Sequence, residues 1–176
     1  MNRNIVTPLS LMAVLTLAAG AASAAGPMQF GLGAGISSET SSISVPIRTG
    51  NLLIEPELSY YSTEVEGDFG DYDYSELGLG VGVYLMSSVA PSVELALGGR
   101  GGITSSNYEP DVGTDSEESG FFFGPVVGGE YFFNKHFSAG IDAAVIYATS
   151  TYESGTFEED SSSLSTETRA RLRFYM

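Results

Sequence analysis

Three arginines at alternate positions near the end of the 176-residue chain could form a buried ionic cluster. They are Arg169, Arg171 and Arg173, and small or apolar residues stand between them. Because successive side chains of a β-strand point to opposite faces, a strand here would place the arginines together on one face. The planar guanidinium fork binds carboxylates in a bidentate manner and stays charged. The spacing therefore predicts ion pairs with carboxylates on neighbouring strands.

Other segments with the same period of two carry charged residues on one face as well. If these segments close into a β-barrel, the charged face lies inside a narrow lumen, where charges need partners because unpaired burial costs several kcal/mol per ion. We predict a lumen network that plugs a barrel, and the alternative is a gated ion path in which the pairs exchange partners. The predicted network consists of Arg48, Glu55, Glu57, Glu76, Glu94, Arg100, Glu130, Asp142, Glu167, Arg169, Arg171 and Arg173.

Further carboxylates concentrate in the long polar connections, where no Lys or Arg accompanies them. A solvated repulsive surface is one interpretation. Loose binding of Ca²⁺ or Mg²⁺, or bridging through these ions to lipopolysaccharide, is a second, since hard cations prefer oxygen ligands. Adhesion to a basic protein is a third. The candidate cation ligands, none in EF-hand spacing, are Asp68, Asp71, Asp73, Asp111, Asp115, Glu117 and Glu118.

The residues expected of other function classes are missing from the sequence. There is no cysteine, and the single histidine, His136, falls beside a predicted tight turn. Without a second histidine or a thiol we find no general base and nucleophile set, so we predict that the chain is not an enzyme. A net charge of −15 disfavours nucleic-acid binding, which requires positive charge. No cofactor other than loosely bound cations is predicted.

Eight segments alternate in polarity and must position these charges. Short turns follow the second, fourth and sixth segments, and long polar connections follow the third, fifth and seventh. This asymmetry and a segment length of about 10 residues are typical of transmembrane β-barrels. The segments run over Met28–Ile36, Ser42–Arg48, Leu52–Thr63, Ser75–Met86, Ser92–Thr104, Gly120–Phe133, His136–Thr149 and Leu164–Phe174.

The distribution of glycines and aromatic residues indicates which face is outside. Glycines crowd the charged face, which suits the filled interior of an eight-stranded barrel. Bulky apolar residues form the other face, and its aromatic residues fall into two girdles if the first segment starts in the periplasm. One girdle has Phe30, Tyr131, Phe133, Phe137 and Phe174, and the other has Tyr60, Phe121, Phe123 and Tyr147. A soluble barrel that binds an apolar ligand is the inside-out alternative.

The first residues resemble an export signal. Arg3 precedes a short apolar stretch, and Ala22-Ser23-Ala24 fits the small-x-small cleavage pattern. We predict a signal peptide over residues 1–24 and one barrel domain over 25–176.

Three stretches of the sequence resemble the small outer-membrane β-barrel family of OmpX-like and opacity-protein-like barrels and OmpA-like membrane domains. They are Glu55–Tyr60, Glu130–Ser138 and the ending Arg171–Tyr175. The resemblance implies an all-β, eight-stranded antiparallel up-and-down barrel in the outer membrane of a Gram-negative bacterium. It also implies a monomer embedded in lipid and lipopolysaccharide, with a structural or adhesive role. Phe174 and Tyr175 would be the signal for the barrel-assembly machinery. A small cation-selective porin is the alternative function.

Overall fold

The computed structural model describes residues 27–38, 40–65, 72–110, 116–154 and 157–176. The predicted signal peptide lies outside these ranges. Within them, no helix combines the length and the apolar character needed to cross a membrane.

All regular elements in these ranges are β-strands in one antiparallel sheet. Strands that follow one another along the chain pair with each other, except the second and the third, and pairing of the first strand with the last closes the ring. The strands are β1 (Met28–Ile36), β2 (Ser41–Ser44), β3 (Ile47–Thr49), β4 (Leu52–Val65), β5 (Tyr72–Ala90), β6 (Val93–Pro110), β7 (Ser116–Phe132), β8 (Phe137–Ser154) and β9 (Phe157–Tyr175).

The ring has eight strand positions, as predicted, because β2 and β3 are two halves of one interrupted strand. Both halves pair with β1 on one side and with β4 on the other. The predicted continuous segment Ser42–Arg48 was wrong at Val45 and Pro46, where the ladder is interrupted. Proline has no N–H for a ladder hydrogen bond. The Val45 amide instead donates to the Pro56 carbonyl at 3.0 Å.

The prediction of long loops at one end of the barrel was also wrong. Most residues of these connections continue the strands, so that β5 to β9 are 17 to 19 residues long. The Ser, Thr, Tyr and Glu residues of these connections alternate in polarity less clearly than the residues of the membrane-facing segments do. Thr and Tyr nevertheless favour strands. We call this end of the barrel the extended end and the opposite end the short-turn end.

The barrel wall is uneven at the extended end. Ser37 and Thr40 close a tight turn between β1 and β2, in which the Ser37 amide donates to the Thr40 carbonyl at 3.0 Å. β1 therefore stops at Ile36, whose partner on β9 is Ala170. In the described part of the chain, residues 157–169 of β9 pair with β8 alone. The strands from β4 to β9 thus rise above the ring as an open curved sheet.

The outer face carries the large apolar side chains, and aromatic residues cluster at two levels. At the short-turn end, the rings of Tyr131 and Phe133 are 5.0 Å apart. Toward the extended end, Phe123 lies 5.5 Å from Tyr147. Exposed Leu, Val and Ile side chains occupy the surface between them. This belt with two aromatic girdles is the outer surface of a transmembrane barrel.

Candidate functional site

Arg173 lies at the centre of the charged lumen near the short-turn end. Its Nε and Nη2 atoms donate to the two carboxylate oxygens of Glu55 at 2.9 and 2.8 Å. Its Nη1 donates to Glu130 at 2.7 Å. Only 4% of Arg173 and 1% of Glu55 is exposed. The arginine fork is thus held by two buried carboxylates on β4 and β7.

Arg171 extends this cluster by one level toward the extended end. It forms ion pairs with Glu55 and Asp142, and its Nη2 atom donates to the Tyr84 hydroxyl at 2.9 Å. The Ser44 hydroxyl also donates to Glu55 at 2.9 Å. Glu55 therefore accepts hydrogen bonds from three sides, which compensates the burial of its charge.

A third level of ion pairs lies above Arg171. Arg169 pairs with Glu57, and its Nε atom lies 3.6 Å from Glu167. Arg100 pairs with the same Glu167, so the carboxylate stands between two arginines. The Arg100 guanidinium also lies over the Phe122 ring, 5.8 Å from its centroid. The ion pairs thus link β4, β6 and β9 across the lumen.

A separate ion pair lies at the short-turn end. Arg48 and Glu94 approach to 2.8 Å, and the Arg48 guanidinium lies 5.6 Å from the centroid of Phe132. Of the twelve residues predicted for the network, all but Glu76 belong to these ion pairs within the described ranges. Glu76 points inward nearer the extended end and accepts a hydrogen bond from the Tyr74 hydroxyl at 3.0 Å.

An apolar cluster fills the lumen beside the ion pairs. It contains Leu53, Tyr84, Met86, Ala96, Val126, Ala144 and Ile146, with Phe122 packed against it. Between this cluster and Arg169, a gap bordered by Asp142 and Glu167 leaves about 0 Å³ for the centre of a water molecule. The middle of the lumen is therefore filled by side chains, in agreement with the narrow bore of eight strands. The soluble alternative requires an apolar interior, whereas this interior is largely ionic.

A concave cup opens above the filled region, on the inner face of the raised sheet. Its volume is about 220 Å³. The lining residues are Tyr74, Ser106, Tyr108, Ser116, Glu118 and Tyr152. Strand pairing places Tyr74 opposite Tyr108, and Glu118 opposite Tyr152. Burial raises the pKa of the Tyr74 hydroxyl, which donates to Glu76.

The residues predicted as the assembly signal face opposite ways. Phe174 points outward and is half exposed, whereas Tyr175 is buried in the lumen, with its hydroxyl 3.3 Å from Glu130. His136 lies in the turn before β8, where its Nδ1 atom is 2.9 Å from the Tyr175 carbonyl oxygen. Its ring stacks on that of Phe174 at 6.2 Å. His136 thus supports the end of β9 at the short-turn end.

The predicted cation ligands are only partly described. Asp68, Asp71, Asp111 and Asp115 lie outside the described residues. Asp73, Glu117 and Glu118 lie on the raised strands, and strand pairing places Glu117 on the outer face opposite Asn107. No group of three His, Cys, Asp or Glu among the described residues could hold a metal ion.

The cup and most of the apolar cluster were not predicted from the sequence. Leu53 is two positions before Glu55 and therefore lies on the same face of the strand, so the alternation alone predicts its inner position. Tyr108 and Tyr152 lie in polar stretches that look like loops, so no periodic signal marked them. Their meeting depends on a register that pairs residues far apart in the sequence.

Solved structures of bacterial outer-membrane proteins are similar to this one. A major outer membrane protein from Thermus thermophilus has a TM-score of 0.52 and 13% identity, covering 86% of this chain and 100% of that one. Neisserial surface protein A has a TM-score of 0.49 and 17% identity, with 84% and 94% covered. Ail, the attachment invasion locus protein of Yersinia pestis, has a TM-score of 0.47 and 13% identity, covering 84% of this chain and 95% of that one.

No protein-family model matches the sequence, and the comparison with curated proteins found no significant match. The fold is therefore assigned from the structure, which has a closed ring of eight antiparallel strands (with β2 and β3 counted as one), an apolar belt and an ionic lumen. By its fold, this chain is a small β-barrel of the bacterial outer-membrane type.

Proposed function

We propose that this protein is a plugged outer-membrane barrel that holds an acidic β-sheet above the membrane for contact with other macromolecules. The free edge of β9 carries this proposal. Transmembrane barrels have short turns on the periplasmic side, so the extended end faces outward from the cell. The protein would work as a monomer, inserted by the barrel-assembly machinery and surrounded by lipid and lipopolysaccharide.

The filled lumen supports a role in contact rather than in transport. Three levels of ion pairs and an apolar cluster occupy the bore, and Arg171 and Arg173 are each only 4% exposed. Moving ions through the barrel would require these pairs to separate, at a cost of several kcal/mol per ion. The channel alternative would need such a rearrangement.

The edge of β9 is suited to strand addition. Its residues 157–169 have one neighbouring strand, β8, within the described chain. An edge strand presents unpaired N–H and C=O groups that act as a template for another chain. The side chains at 158–166 are all exposed, and most of them are Ser or Thr. An extended peptide could therefore add to this edge by backbone hydrogen bonding.

The charge of the raised sheet selects the partner. Glu158, Glu159 and Asp160 lie on β9 itself; Tyr152 of β8 lies opposite Glu159, and Glu118 of β7 lies opposite Tyr152. The described strands carry no Lys or Arg above the level of Arg100 and Arg169. Electrostatic complementarity therefore favours a basic partner and speeds its encounter.

NMR spectroscopy of the isotope-labelled barrel in detergent micelles tests the proposal. The probe is a synthetic heptapeptide of alternating Lys and Thr. We expect chemical-shift changes and slowed amide exchange at residues 161–166 of β9. The matched control is the same peptide with alternate backbone nitrogens methylated, which keeps the charge and removes half of the donors. We expect this control to bind much more weakly.

Two outcomes would contradict the proposal. Equal binding of the methylated peptide would mean that charge alone attracts the probe. Shifts confined to strands other than β9 would place the contact elsewhere. Replacing Glu158, Glu159 and Asp160 by their amides should weaken binding of the unmodified peptide, because the attraction to its lysines is reduced.

Divalent-cation capture by the outer carboxylates remains a separate proposal. Its support is the excess of carboxylates over basic residues on the raised strands, which suits weak binding of hard cations. Calcium titration of the folded barrel, with Asp73→Asn and Glu117→Gln variants, would measure it. Unchanged calcium binding in both variants would exclude these two ligands.

A further inference from the structure

The cup combines aromatic rings with an uncompensated carboxylate. Tyr74, Tyr108 and Tyr152 contribute rings, and Glu118 contributes the charge. No Lys or Arg forms an ion pair with Glu118 among the described residues. The nearest basic side chain below the cup, Arg100, is already paired with Glu167 in the filled lumen. The cup is therefore an electronegative site whose charge is not balanced from within the barrel.

Below the cup, Phe122 lies at a level between the lining residues and the ionic network. Phe122 reaches across the lumen toward β5 and β6, so that a Cβ at Gly80 or Gly102 would meet its ring at 3.4 or 2.9 Å. Above it, the hydroxyl of Tyr74 is engaged by Glu76. The Tyr74 ring is also 6.0 Å from that of Tyr61. These contacts hold the Tyr74 ring at one side of the cup.

We propose that the cup binds a small organic ammonium cation, with a quaternary or primary ammonium group among the tyrosines and next to Glu118. Aromatic faces attract such cations through the ring quadrupole, and aromatic cages are the recurrent protein solution for quaternary ammonium groups. The volume of about 220 Å³ lies below the range of about 300–1,000 Å³ typical of drug-sized ligands, so the ligand is small.

The lining disfavours other classes of ligand. Magnesium and calcium ions require six or more oxygen ligands, whereas the cup offers one carboxylate, hydroxyls and ring faces. An anion would meet Glu118 with no basic residue to offset the repulsion. A neutral apolar molecule would leave the carboxylate desolvated and without a partner, which costs binding free energy. An organic cation satisfies both the rings and the charge.

Calorimetric titration of the folded barrel with choline tests the proposal. We expect saturable binding that falls about tenfold in both Glu118→Gln and Tyr152→Leu, since each removes one of the two attractions. The matched control is Glu117→Gln, which removes the same charge from the outer face of the same strand. It should bind choline like the unmodified barrel. A heat-dependent gel shift verifies that every variant is folded.

The neutral carbon isostere of choline, with carbon in place of the quaternary nitrogen, distinguishes the cup from a simple apolar hollow. We expect no saturable binding of this isostere. Equal binding of the two compounds would overturn the proposal, as would an equal loss of choline binding in Glu117→Gln and Glu118→Gln. Absence of choline binding at millimolar concentration would overturn it as well.

Discussion

At the scale of single residues, the lumen depends on buried charges that have more than one partner. Arg173 donates to Glu55 and Glu130, and Glu55 also pairs with Arg171. Removing one member of such a cluster leaves its partners buried and uncompensated. The resulting destabilisation is larger than the net stabilisation that the ion pair itself provides.

We therefore expect Arg173→Met to lower the free energy of unfolding by about 3–5 kcal/mol. Urea unfolding of the detergent-folded barrel, followed by circular dichroism, measures this. Lys135→Met is the control, because Lys135 is an exposed turn residue without an ion pair within the described residues. Its effect should stay within about 0.5 kcal/mol. Equal effects of the two substitutions would show that the lumen pairs do not stabilise the fold.

At the scale of elements, the close approach of neighbouring strands limits side-chain size. A Cβ at Gly124 on β7 would collide with the Val145 carbonyl oxygen and would lie 3.1 Å from the Ile146 Cα. At Gly129, on the same strand, a Cβ would meet nothing within 4 Å. A comparison of the two positions therefore distinguishes a steric need for glycine from the general destabilisation that glycine causes in strands.

Gly124→Ala should destabilise the barrel by about 1–3 kcal/mol, because the backbone of β8 must move. Gly129→Ala should be neutral or slightly stabilising, since it reduces the conformational freedom of the unfolded chain. Midpoints of thermal unfolding, read from the heat-dependent gel shift, compare the two. A lower midpoint for Gly129→Ala than for Gly124→Ala would contradict this account of β7.

The strands themselves were predictable, whereas their upper ends were not. Alternation of apolar and polar residues identifies a strand only where one face meets lipid. Above the membrane both faces of β9 are polar, so Ser161, Ser162 and Ser163 gave no period. The break at Pro46 could have been read from the missing N–H of proline. The cup could not, because only the register across β5 to β8 brings its residues together.

At the scale of the whole molecule, the side chains in the lumen and the apolar belt support the proposed role of an anchor. The ionic network spans the lumen from β4 to β9, and Leu53 and Tyr84 pack beside it with almost no exposure. The central gap has no room for a water molecule. A barrel of this kind should seal the membrane while its raised sheet contacts the exterior.

We expect the folded barrel to show no ionic conductance in a planar lipid bilayer over many insertions. The physical reason is that a permeating ion would have to displace the Arg171 and Arg173 pairs. Arg100→Ala, which removes the side chain above these pairs, should still not conduct, because the deeper levels remain. Steady cation-selective steps from the unmodified barrel would instead favour the small porin.

The arginines of the lumen are unevenly distributed along the chain, and this affects the order of assembly. Arg169, Arg171 and Arg173 all belong to β9, whereas their carboxylate partners Glu57, Glu130 and Asp142 belong to earlier strands. Until β9 docks, those carboxylates face one another without their counter-charges. A partly formed sheet therefore repels itself, and the last strand relieves that repulsion as it closes the ring. Closure is thus favoured by charge as well as by backbone pairing.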